Sequence, residues 1–332
     1  MVELTDWEAR IGRRLRLRDL HVFFAVVRSG SMAKAASRLR VTQPAVSKAI
    51  ADLEATLGVR LFDRSPQGVQ PTRYGDALVK CGTAVFDELR QGIKGIEFLS
   101  DPTVGELLIG CPESIASSIL PPIVERFAHQ NPRVFLDVDA TGADALIPKL
   151  IDRSLDLVLA PTGNRISAHQ ADNDLNIEKL FDDELIVAAS TKSRWAHRRK
   201  MDLADLVNER WILTSRDDWS EAVLSAAFRG RGLSLPKISM RTLSVHLRAN
   251  LVAGSHFVAA MPRSVLDLYG ERFGLKVLPV ELPRRPWPVV IVTLRHRTLS
   301  PVAERFIACC REVVKSMSSR RDGRAHATPH LA

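Results

Sequence analysis

The chain has 332 residues, of which 45% are apolar, and 47 Lys and Arg stand against 38 Asp and Glu for a net charge of +9. That length exceeds a single ordinary core, so two or more folded domains are expected, and the basic balance suits a polyanionic partner. An N-terminal apolar run with a cleavage signal is absent and no uninterrupted apolar span has transmembrane length, so the expected location is the cytoplasm, without a membrane contact.

The first informative stretch is LRDLHVFFAVVRSGSMAKAASRLRVTQPAVSKAIADLEATLGVRLFDRSPQGVQ, residues 17–70. Leu20, Phe23, Phe24 and Val27 recur at helical spacing up to Ser29-Gly30, which ends the first helix. Ser31 is the expected N-cap of a short second helix, whose Ala35, Ala36 and Leu39 let another helix lie close. After a tight connection at Arg40-Val41, Thr42 is the expected N-cap of a third helix with Pro44 in its first turn, where a missing N–H does no harm. Val46, Ile50, Leu53 and Leu57 form its buried stripe, leaving Gln43, Pro44, Ser47 and Lys48 near its outward N-terminal part. This is a helix-turn-helix pattern, and in such proteins that part of the helix enters the major groove. Arg28, Lys34, Arg38, Arg40 and Lys48 follow one another with no Asp or Glu between Arg28 and Lys48, a one-signed face that a duplex attracts. Leu61-Phe62 and Val69-Gln70 read as short strands around a tip containing Pro66 and Gly68, and Arg60, Arg64 and Arg73 supply phosphate donors around this wing.

The segment SMAKAASRLRVTQPAVSKAIADLEATLGVRLFDRSPQGVQPTRYG resembles the N-terminal domain of LysR-type transcriptional regulators. The resemblance implies promoter double-stranded DNA as partner, with Gln43, Pro44, Ser47 and Lys48 at base edges and adjacent phosphates and Arg64 on the backbone beside the wing. Many relatives carry Arg where Lys48 stands. Lysine lacks the rigid fork of arginine, so Lys48 shares in phosphate positioning. Within the family, regulators of sugar uptake or aromatic-acid catabolism look similar to this chain.

From Tyr74 to Ser100, Leu78, Cys81, Val85, Leu89, Ile93 and Ile96 recur every three or four residues along a long helix, and such a stripe suits pairing with a second copy. Interior Gly75, Gly82, Gly92 and Gly95 weaken the helix by itself, so packing must support it. The resemblance makes it the dimerising linker. It also implies a homodimer that assembles to a homotetramer and a contact with RNA polymerase.

Beyond Asp101-Pro102, Glu106 to Gly110, Val134 to Val138 and Leu155 to Ala160 read as strands alternating with helices at Ile115 to Ala128 and Ala145 to Ile151, a parallel helix-covered sheet. Pro121-Pro122 predicts a break or late start in the first of those helices. A second unit follows with Glu184 to Ala189, Trp211 to Leu213, a helix near Ser220 to Arg229, the segment Val245 to Ala253 and a strand at His256 to Ala260. Val289 to Leu294 is a further strand and Pro301 to Met317 a helix. The family pattern makes that strand return to the first lobe, which the sequence by itself does not show.

The expected fold is α/β with an N-terminal winged helix-turn-helix, a long linker helix and a two-lobed periplasmic-binding-protein-like regulatory domain. The boundaries are 1–73 for the DNA-binding domain, 74–101 for the linker, 102–317 for the regulatory domain and 318–332 for a disordered tail. Between two lobes joined by more than one strand, a small polar or anionic effector is expected, bound near strand ends and helix starts. Ser114, Thr141, Thr214 and Thr242 occupy such boundaries, with Ser215 beside them, although each also reads as an ordinary cap or turn residue. His256 and Phe257 replace a smaller glycine-centred sequence common in the family, and either narrow the lobe boundary or cover the core. No catalytic residues, metal ligands or cofactor are expected, because nucleophile-elbow, phosphate-loop, zincin and dinucleotide motifs are absent. Cys81, Cys111, Cys309 and Cys310 lack ligand spacing, and nothing in the sequence activates Cys111 or the Cys309-Cys310 pair for redox sensing. The alternative is a two-lobed solute-binding or sensor protein without transcriptional control, which the N-terminal motif argues against.

Overall fold

The computed structural model describes residues 14–65, 68–162, 174–214, 219–283 and 287–326. It divides into two compact units, one ending at Leu89 and the other beginning at Arg90.

The first unit contains helices α1 (Leu17–Ser29), α2 (Met32–Leu39) and α3 (Gln43–Leu57), strands β1 (Phe62–Ser65) and β2 (Gly68–Pro71), and the first part of helix α4 (Arg73–Ser100). Its core joins Phe23, Val26, Ala35, Ala36, Val46, Ile50, Leu53, Leu61 and Phe62. Val26 rather than Val27 is the buried residue at the end of the first stripe. Gly30 closes α1 in the left-handed conformation at φ 61°, a geometry glycine adopts without a steric penalty. Ser31 caps α2 by accepting from the Lys34 amide, as its position predicts. Arg40 provides the left-handed turn into α3. Thr42 stands at the N-cap of α3 with Pro44 in the first turn, but its hydroxyl makes no capping bond, so proline geometry rather than a side-chain cap starts this helix. The β1–β2 ladder is antiparallel, with Arg64 opposite Val69.

Along α4, Gly82 is a close-approach site, since a Cβ there would lie 2.7 Å from the Phe24 ring. Glycine therefore serves packing at that point, beyond loosening the helix. The outward apolar residues stay exposed, from Val85 at 36% and Leu89 at 43% to Ile96 at 66% and Leu99 at 82%.

The second unit holds two lobes. Lobe I contains β3 (Val104–Gly110), α5 (Glu113–Ala116), α6 (Leu120–Gln130), β4 (Arg133–Asp139), α7 (Ala143–Ile151), β5 (Leu157–Pro161) and β6 (Leu175–Asp183). The chain breaks between α5 and α6, and Pro121-Pro122 lie in the opening turn of α6, where prolines fit. Lobe II contains β7 (Leu185–Ser190), β8 (Trp211–Leu213), α8 (Trp219–Arg229), β9 (Ile238–Arg241), α9 (Val245–Ala253), β10 (Val258–Pro262), α10 (Arg263–Phe273) and β11 (Leu275–Val277). The chain then returns to lobe I as β12 (Trp287–Leu294) and ends in α11 (Pro301–His326).

Lobe I's sheet runs β4-β3-β5-β12-β6 and lobe II's runs β11-β7-β10-β8-β9. Neither is wholly parallel. In lobe I, β3 pairs parallel with β4 and β5, while β12 pairs antiparallel with both β5 and β6. The three strands expected to lie parallel, β3, β4 and β5, do so, and it is the returning β12 that runs the other way. β12 nevertheless pairs along its whole length with β6, which fixes the crossing-back that the sequence left open. The crossing at Asp183 is tied down. That buried carboxylate accepts from the Ser264 hydroxyl at 2.6 Å and the Ser264 amide at 3.1 Å, joining the end of β6 to the start of α10.

Three further differences concern the ends of elements. The strand expected from His256 begins at Val258; His256 is exposed, and half-buried Phe257 packs on lobe II's core, which is the covering role. In the preceding turn Ser255, not Gly254, takes the positive φ of 69°. The last helix continues through His326, past the expected end at Met317, and 327–332 lie outside the described residues.

Candidate nucleic-acid interface and effector cleft

The reading surface begins with how α3 is held. Val46, Ile50 and Leu53 bury one side of the helix against α1 and α2, so its first turn projects outward. Gln43, Pro44 and Lys48 are exposed there and Ser47 is half-buried. Glu54, later on the same helix, accepts from the Leu61 amide at 2.7 Å and the Phe62 amide at 3.3 Å, fixing where the wing leaves the helix. On the far side of the wing, the Thr72 hydroxyl donates to the Arg60 carbonyl at 2.8 Å. Arg64 is exposed on β1, while the expected tip residues Pro66 and Gln67 lie outside the described residues. Arg28, Lys34, Arg38, Arg40, Lys48, Arg60 and Arg64 are all exposed, and among the described residues none of them pairs with a carboxylate. Seven uncompensated cations around one helix end and one wing make a surface for phosphates.

The candidate effector residues at the lobe boundary are set differently, largely among groups that already satisfy one another. Ser114 is half-buried in α5, and its carbonyl accepts from the Ser118 hydroxyl at 2.6 Å. Thr141 is exposed just before α7. Its hydroxyl bonds Asp139, whose carboxyl is held below its ordinary range chiefly by Lys149, 2.5 Å away, with Thr141 adding to the effect. In lobe II, the Thr214 hydroxyl lies 2.8 Å from that of Ser220. Thr242 donates its amide to the Leu213 carbonyl and accepts from the Ser244 amide at 3.1 Å. Ser215 lies outside the described residues.

The lobes meet beside these residues. Glu113, next to Ser114, uses Oε1 to accept from the Ser244 hydroxyl at 3.2 Å and from the His246 amide at 3.4 Å. A Cβ added at Gly142, next to Thr141, would lie 3.8 Å from Leu243 Cδ1. Ser114, Thr141 and Thr242 thus have chain neighbours that converge on the start of α9, and Thr214 adjoins Thr242 through the Leu213 carbonyl. Sequence reasoning missed Glu113 and Ser244, a pair that bridges the lobes beside these candidates. The signal was present in Glu113 directly preceding a chosen candidate. It also missed Arg241, whose guanidinium is clamped by both oxygens of Glu221 at 3.0 and 2.6 Å, and Arg248, fully buried in α9.

The three buried thiols are not activated. Burial pushes Cys111 up to about 12, with the charge of Asp139 adding to it, and burial also raises Cys309 and Cys310. Cys81 is exposed on α4. Among the described residues, no group of three or more His, Cys, Asp and Glu gathers to hold a metal ion, and no helix is long and apolar enough to cross a membrane.

Comparison with known proteins gives this arrangement a family. The model described as the bacterial regulatory helix-turn-helix protein, lysR family, matches residues 17–76, and the LysR substrate binding domain matches residues 100–315. The chain is 30% identical to the HTH-type transcriptional regulator TdcA of Escherichia coli strain K12, over 80% of this chain and 83% of that protein. It is 25% identical to the HTH-type transcriptional regulator GbpR of Azospirillum brasilense, over 90% of this chain and 86% of that one. In fold it is similar to a full-length OxyR variant from Pseudomonas aeruginosa, with a TM-score of 0.61 and 21% identity over 91% of this chain and 95% of that structure. It is likewise similar to full-length CbnR complexed with its target DNA, with a TM-score of 0.52 and 21% identity over 90% and 100%. The two lobes therefore share the periplasmic-binding-protein architecture only as a likeness of fold, and these relatives are regulators rather than enzymes. The reading head, the long helix and the substrate-binding lobes are parts of one protein that belongs to the LysR family of bacterial transcriptional regulators.

Proposed function

We propose that this chain controls a promoter in the cytoplasm as an oligomer whose DNA contacts respond to a small polar effector. Gln43, Ser47 and Lys48 read base edges, Pro44 shapes the approach of the first turn, and Arg64 holds the backbone beside the wing. The observation that carries this reading is the set of exposed cations around α3 and the wing with no carboxylate partner among the described residues. A solute-binding protein needs no such surface.

The exposed apolar stripe of α4 supports pairing with a second copy, and dimers then join into a tetramer through the regulatory domains. Two reading heads in a dimer match an inverted repeat. Ser114, Thr141, Thr214 and Thr242 are the proposed effector contacts, and RNA polymerase is the proposed target of the switched assembly. The effector must bind two arrangements of the protein unequally, because equal affinity shifts no population.

Footprinting the full chain on its own upstream region at several salt concentrations tests this function. The expected result is a protected inverted repeat whose affinity falls steeply with salt. Equal binding to all duplexes of the same length overturns it.

A further inference from the structure

Resting on the effector reading above, we infer that Glu113 sets the chemical class of the effector: an amine on a short apolar stem, not a carboxylate.

The start of α9 is where an acid would ordinarily be held, since helix N-terminal amides attract anions. Here the protein's own groups occupy most of it. The Ser244 amide donates to Thr242 Oγ1, the His246 amide to Glu113 Oε1, the Leu247 amide to Ser244 Oγ and the Arg248 amide to the Ser244 carbonyl. The Ser244 hydroxyl itself donates to Glu113. Glu113 comes from the other lobe, so the carboxylate on this helix end belongs to the lobe boundary. Both of its bonds converge on Oε1, which leaves Oε2 of a half-buried carboxylate without a donor among the described residues.

Arg241, at the end of β9, does not reverse this preference, since both oxygens of Glu221 clamp its guanidinium. A ligand carboxylate entering this corner meets a like charge and, at His246 and Leu247, amides already in use, whereas an ammonium group meets an acceptor of opposite charge. Leu243 at 55% and Leu247 at 41% exposure flank the same turn and offer apolar surface to a stem.

Butylamine and butyrate, which share a stem and differ in the charged end, are suitable probes for titration of the full-length chain by ligand-observed NMR. The wild type is expected to bind butylamine about tenfold or more tighter than butyrate, and Glu113→Gln, which keeps an acceptor but removes the charge, to lower that ratio by about tenfold. Glu113→Asp, which keeps the charge, is expected to retain the amine preference. A wild type that prefers butyrate, an unchanged ratio in Glu113→Gln, equal behaviour of the Asp and Gln variants, or no butylamine binding at all overturns the assignment. Operator footprinting in the absence of any probe separates that outcome from failure of the regulator reading.

Discussion

Val69 donates its amide to the carbonyl of Gly30 at 2.9 Å, which ties the wing to the turn that ends the first helix. Gly68, just before it, has φ 135°, and a Cβ there would lie 2.8 Å from the same Gly30 oxygen. Gly68→Ala is therefore expected to destabilise the DNA-binding unit by about 1–3 kcal/mol through backbone strain and the forced displacement of the tie. Thermal unfolding measures the loss, and operator titration is expected to show weaker binding with unchanged sequence preference. Wild-type melting and wild-type affinity together reject this role for the tie.

Reading and affinity are expected to separate by residue. Replacing Gln43 or Ser47 with Ala changes the ranking of operator variants, with a base contact worth about 1–3 kcal/mol. Arg64→Ala instead weakens every duplex and lowers the salt slope by about one phosphate contact. Titrations of a small operator panel at three salt concentrations distinguish the two patterns, and four single variants at positions 43, 47, 48 and 64 that all bind as wild type reject the surface.

The parts of the fold written in short-range pattern were legible. Helical spacing, the Ser31 cap, Gly30 and the Pro121-Pro122 break each specify local backbone, and the structure follows them. What the pattern cannot carry is partner choice over long separations: β12 is an apolar run whichever strand it joins, and only its register with β6 shows an antiparallel return. The strands β6, β9 and β11 escaped because they are short or heavily charged, as in Lys179 and Asp182 of β6. The cleft was half legible for the same reason. Hydroxyls at strand ends stand out locally, but the Glu113 to Ser244 bridge joins residues 131 positions apart and belongs to tertiary geometry.

Assembly is expected to depend on the exposed stripe of α4. Leu89→Asp sets a charge where a partner helix would bury an aliphatic side chain, and desolvating an unpaired carboxylate is strongly unfavourable. Sedimentation is expected to show a lower oligomer, and the footprint to shrink or vanish. A wild-type chain that sediments as a monomer while giving the full footprint removes the dimeric reading. So does a Leu89→Asp variant that assembles normally.

Thiol reactivity is expected to follow burial. In the native protein at pH 8, alkylation modifies Cys81 and spares Cys111, Cys309 and Cys310, which mass spectrometry of digested peptides reads directly. The raised ionisation of the three buried thiols also gives a sign for stability against pH. The folded state keeps protons that the unfolded chain releases above about 8.5, so stability is full below that pH and falls as it rises further. Cys111→Ser, which removes one such thiol, is expected to flatten the alkaline decline in melting temperature. Rapid native labelling of Cys111 contradicts the buried geometry.

Effector control is the step that joins cleft to promoter, and it makes a demand stricter than binding. A molecule found by thermal-shift screening of the full chain is expected to lose affinity in Ser114→Ala and Thr141→Ala, because both positions border the corner where α5 and the start of α7 face α9. Loss of one hydrogen bond corresponds to about 0.5–1.5 kcal/mol, or roughly a 2- to 13-fold weaker dissociation constant. Thr214→Ala is expected to have a smaller effect, since that hydroxyl already bonds Ser220 at 2.8 Å. The same molecule at saturation must also change operator affinity, DNA bending or transcript yield, because only unequal affinity for two arrangements moves their balance. Calorimetry on the variants and operator titration with and without the molecule test the two halves separately. Unchanged affinity in both Ser114→Ala and Thr141→Ala displaces the pocket from this corner, whereas binding that leaves every DNA readout unchanged makes the molecule an occupant of the cleft and not its effector.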